Sequence, residues 1–98
     1  MTRTATLLSA ALIALATALP AQAACFADYK AKRDNPLRLH YGVMELPQAA
    51  CAGTDAAARE IARRIARDGW TLLNVMAIFG AEGLDERRES AGQFFLRY

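Results

Sequence analysis

Two thiols (Cys25 and Cys51), one imidazole (His40) and a scatter of hydroxyls and carboxylates are the groups in this 98-residue chain that could do chemistry. Ser90 with His40 and an aspartate has the letters of a hydrolase triad. Ser90 stands in RESAG, however, without the G-x-S-x-G turn that lifts a nucleophile out of a sheet. His40, Met44 and Met76 could be drawn as a soft copper site, but no second histidine or free thiolate backs them. Glu82, Asp85, Glu86 and Glu89 offer carboxylates for glycoside chemistry, in a stretch too polar to raise the pKa of one of them. Arg59, Arg63 and Arg67 recur every four residues, yet Asp55, Glu60 and Asp68 interleave with them, the pattern of a solvated helix face. Trp70, directly after a glycine, reads as an anchor over a helix end rather than a ligand platform. These residues imply no catalytic set, no metal and no cofactor.

The cysteines say more. Residues 1–23 have the layout of a secretory leader: one cation (Arg3), the apolar run Leu7 to Leu19, then Pro20 and the A-x-A pattern Ala21-Gln22-Ala23. The run falls short of the about 20 apolar residues of a membrane span, and no later segment is a second anchor. Cleavage is expected between Ala23 and Ala24, leaving one domain over 24–98. The competing reading, lipid attachment at Cys25, wants an aliphatic residue three positions earlier, where Gln22 stands. A periplasmic or secreted chain with two cysteines should join Cys25 to Cys51. The need is physical: a domain this small buries only a little over half of its unfolded surface. Closing the loop between the two cysteines would destabilise the unfolded state by about 3–4 kcal/mol.

The charge balance, 12 Lys and Arg against 10 Asp and Glu, lacks the basic excess of a nucleic-acid binder. Along the chain, residues 24–36 form an arm that ends in the turn signal Asp34-Asn35-Pro36. LRLHYGVMEL alternates with the period of a strand, placing Leu39, Tyr41 and Val43 on one face and His40, Met44 and Leu46 on the other. From Thr54, a plausible N-cap, the period becomes helical; Ala58, Ile61, Ala62, Ile65 and Ala66 make the apolar stripe, and Gly69 is placed as the C-terminal cap. WTLLNVMAIF then reads as a strand, residues 80–92 as a polar connection with a helical turn, and QFFLRY as a last strand. The prediction is an α+β fold: a three-stranded sheet in split βαβ order 1-3-2 over residues 37–98, its last strand central, with one main helix on one face. The arm is tethered by the disulfide, either extended beside the first strand or helical with that strand shortened.

The strand, the amphipathic helix closing in DGW, the strand TLLNV and the aromatic FFLRY together resemble a widespread family of short bacterial domains of unknown function. The resemblance covers Leu37 to Tyr98 and implies the β-α-β-β order without supplying a catalytic residue. One helix cannot cover Met44, Leu46, Leu72, Met76, Ile78 and Phe95 as well as its own stripe, so an open apolar sheet face is expected. The sequence therefore reads as a non-catalytic interaction or structural module that forms a homodimer or takes a protein partner through that face. The alternative is a small-molecule or metal binder on the same surface.

Overall fold

The structure, a computed structural model, describes residues 25–98; the leader and the cleavage pair Ala23 and Ala24 lie outside the described residues. Cys25, Ala27, Tyr29 and Ala31 alternate with Asp28, Lys30 and Lys32, and this period-two pattern makes the arm a strand, β1 (Cys25–Arg33). Residues 34–37 turn the chain, with Asn35 at φ 64°, a left-handed conformation that asparagine tolerates. β2 (Arg38–Leu46) then returns antiparallel, in register from Arg33 opposite Arg38 to Cys25 opposite Leu46. A short 3-10 turn (Gln48–Ala52) leads to α1 (Thr54–Ile65), which a 3-10 turn (Ala66–Asp68) extends to Gly69. Gly69 takes the left-handed φ of 80° that its capping place requires. β3 (Thr71–Phe79) pairs antiparallel with the other side of β1, with register shifts opposite Asp28/Tyr29 and Lys30/Ala31.

The sheet order is β2-β1-β3. Both outer strands run antiparallel to the middle one, and α1 joins them, so the α+β class and the split βαβ arrangement are present, with the main helix on one face. The middle strand is the arm and not the C-terminal segment. Residues 93–98 form no strand of the sheet: a 3-10 turn (Gly92–Phe94) and the left-handed Leu96 (φ 55°) interrupt the extension. One parallel bridge, Phe95 to Val43, holds this tail along the outer edge of β2, and the Leu96 N–H donates to the Val43 carbonyl at 2.8 Å. The middle slot was open to whichever segment came first, and the hairpin turn at 34–37 delivers the arm into it without a long crossover.

α1 buries Ala57, Ile61 and Ile65 against Ala27, Tyr29, Ala31, Met44 and Leu46. Burying each isoleucine contributes about 1.5–3 kcal/mol. The helix therefore covers the His40, Met44, Leu46 face of β2. Gly42 admits this packing because the Tyr29 ring lies across it; a Cβ there would come within 2.6 Å of that ring. The second face receives α2 (Asp85–Ala91), the helical turn expected within residues 80–92. The N-cap of α1 is Gly53, one residue before Thr54. Cys25 and Cys51 form the disulfide, with Cα atoms 5.9 Å apart. It ties the start of β1 to the turn that follows β2.

Candidate functional site

His40, on the helix-covered face of β2, is 8% exposed and walled by aromatic rings. Phe94 stacks on it with centroids 3.7 Å apart, Trp70 meets it edge-on at 4.3 Å, and Tyr29 meets it edge-on at 5.3 Å. The Tyr29 hydroxyl and His40 Nε2 hydrogen-bond at 3.0 Å. Burial, with the nearby charges of Arg33 and Arg97, lowers the imidazole to about 4. Burial likewise raises the Tyr29 hydroxyl. At neutral pH the site holds an uncharged ring locked between rings, a core histidine rather than a base poised near 7.

The sequence-predicted sets do not converge. Ser90 is exposed on α2, over the opposite sheet face from His40. Met44 is fully buried four residues along β2 from His40, about 13 Å at strand rise, and Met76 is half exposed on β3. Among the described residues, no group of three or more His, Cys, Asp or Glu side chains could hold a metal ion. Glu82, Asp85, Glu86 and Glu89 are all exposed. On α1, Glu60 takes both Arg63 at 2.7 Å and Arg64 at 3.0 Å, while Arg59 and Arg67 face solvent. Trp70 is buried in the core and carries the Arg33 guanidinium 4.2 Å above its ring.

The second sheet face is divided. At one end α2 is pinned by Arg87, whose Nε donates to Asp28 Oδ2 at 2.9 Å; the Tyr41 hydroxyl donates to the same oxygen at 2.8 Å. Asp28 is 4% exposed. Burial and this carboxylate push the Tyr41 hydroxyl up to about 12. Phe26 and Phe79 stack beside the pair, with Arg87 over Phe79 at 3.9 Å. The other end is bare. Leu39 is 66% exposed and Leu73 50%, and the two line one hollow with Lys30 and Tyr41. Met76, on the edge strand β3, is 48% exposed. Of the six apolar residues expected to lack cover, Met44 and Leu46 are buried under α1, Leu72 and Ile78 pack against the core, and Phe95 lies under Arg88. Of those six only Met76 stays open, and Leu37, Leu39, Leu73 and Leu96 are exposed besides it. Leu39 and Leu73 stand in the expected strands, but the alternation alone does not say which face a helix will choose.

No family model, no curated protein and no solved structure matches the chain. No helix among the described residues is long and apolar enough to cross a membrane.

Proposed function

We propose that the protein is an exported, disulfide-stapled interaction module that works by docking its half-open sheet face, first of all against a second copy of itself. The observation that carries this reading is the pair Leu39 and Leu73, large apolar side chains left in water around one hollow at the end of the sheet that α2 does not reach, with Met76 also exposed on the edge strand β3. A monomer of this size has little apolar surface to leave uncovered, and a twofold pairing of the same patch would remove it from water on both copies. β3 offers a further reason to favour the face over the edge. Its outer side is a long apolar edge without charge or proline, but two bulges interrupt its regular pairing with β1. Bulged edges pair poorly with an added strand, which leaves face-to-face packing as the favoured mode. The leader and the oxidised cysteine pair support a periplasmic or secreted place for it.

Light scattering on size-fractionated protein, taken from the envelope of the producing cell, tests the proposal. The expected result is a dimer that becomes monomeric in Leu39→Asp/Leu73→Asp with its disulfide and far-UV spectrum intact. A monomer at every concentration, or a dimer indifferent to both substitutions, would overturn it. A monomer that takes up an apolar dye on this face would favour the small-molecule reading instead.

A further inference from the structure

At the hairpin end of the sheet the last strand pair sets Arg33 directly opposite Arg38. Like charges placed across a strand pair repel, and among the described residues neither guanidinium is in an ion pair. A third arginine, Arg97, arrives from the tail and is also without an ion-pair partner among the described residues. By contrast Arg63, Arg64, Arg87 and Arg88 each hold a carboxylate within 3.3 Å. The three unpaired guanidiniums line one hollow of about 190 Å³ whose apolar wall is Trp70 and Phe94. One side-chain carboxylate lines it, Asp68, which accepts the Tyr98 hydroxyl at 2.7 Å. Three guanidiniums against a single side-chain carboxylate give the hollow a cationic excess beside an aromatic wall, where field is concentrated.

We propose that this hollow binds a phosphate group, either the free ion or a monoester. An oxyanion answers the cationic excess, and guanidinium forks match its oxygens bidentately. The room is adequate: about 190 Å³ is many times the about 10–15 Å³ that one water needs on the same measure, enough for a four-oxygen ion. Part of the site is preorganised. Arg33 is held over Trp70 at 4.2 Å and donates to the main-chain oxygen of Asp68, so its plane is fixed before any ligand arrives. Arg97 sits 5.7 Å from the Phe94 ring, on a tail anchored by Arg64 Nη1 donating to the Tyr98 main-chain oxygen at 3.0 Å. The site lies at the same end of the sheet but on the opposite face from Leu39 and Leu73, so it stands independently of the dimer.

Isothermal titration of the oxidised protein with inorganic phosphate and with phenyl phosphate, at constant ionic strength, tests it. Saturable binding is expected for phosphate and not for acetate. Arg38→Gln/Arg97→Gln should weaken it by about tenfold or more, as loss of charged hydrogen bonds does. Arg59→Gln/Arg67→Gln removes the same charge elsewhere and should leave it unchanged. Much tighter binding of phenyl phosphate assigns a monoester, and equal binding assigns the free ion. Absence of saturable heat with either phosphate, equal weakening in the two double variants, or acetate binding as well as phosphate would each overturn the assignment.

Discussion

His40 is the residue at which burial has its clearest thermodynamic consequence. Its ring has an ordinary pKa near 6.5 in the unfolded chain and about 4 in the folded one, lowered first by burial and then by Arg33 and Arg97. Between those values the unfolded state binds more protons, so stability rises with pH from about 4 to about 6.5 and is level above. Conversely, acid removes it. The linked free energy is on the order of 3 kcal/mol for a shift of this size. Proton NMR of the imidazole should show a midpoint near 4, and urea midpoints for the native protein should climb across that pH window. In His40→Phe, which keeps a ring between Phe94 and Trp70, that part of the climb should vanish. Equal slopes in the two proteins would show that the imidazole is not the titrating group.

At the scale of elements, α2 is the weakest part of the fold and the one with the most specific tether. Seven residues are too few for a helix to stand alone, so its place depends on Arg87 reaching Asp28. Arg87→Ala leaves a buried carboxylate held only by the Tyr41 hydroxyl, and about 3–5 kcal/mol should be lost in urea denaturation. Arg88→Ala breaks an exposed pair with Asp85 and an exposed contact over the Phe95 ring, and should cost no more than about 1–2 kcal/mol; losses equal to those of Arg87→Ala would remove the special role of Asp28. This pair was not legible in the sequence, because residues 28 and 87 are joined by tertiary structure alone. α1, Gly69 and β3 were legible, since each is written in a local period or cap. The arm is extended beside the first strand, one of the two alternatives its sequence allows, but the central place expected for the C-terminal segment falls to it, and its signal is present: Cys25, Ala27, Tyr29 and Ala31 alternate with Asp28, Lys30 and Lys32 as clearly as β2 does. Lysines on the alternate positions disguised it, and they are tolerated in a middle strand because the second sheet face is only half covered. QFFLRY has strand composition but no free partner edge on β1, so its rings disperse: Phe94 to His40, Phe95 beneath Arg88, and the Tyr98 hydroxyl to Asp68. The arginine trio was equally invisible, its members being distant in sequence and gathered by the hairpin and the tail.

For the whole molecule, the cross-link and the bare face address one shortage, that of buried apolar surface in a small domain. The disulfide acts on the unfolded chain: closing a loop over a sequence separation of 26 residues removes about 3–4 kcal/mol of its conformational freedom. Net stability of a domain this size is of the same order, so Cys25→Ser/Cys51→Ser should fall close to the folding threshold. Differential scanning calorimetry separates this from pairing of two copies. Loss of the cross-link lowers the midpoint at any protein concentration, whereas dimerisation makes the midpoint rise with concentration by mass action. Both effects are expected together: a midpoint that climbs with concentration in the oxidised protein, and the same climb from a lower start in the double variant. A concentration-independent midpoint would withdraw the face-to-face pairing while leaving the staple in place, and an unchanged midpoint without the cysteines would do the reverse.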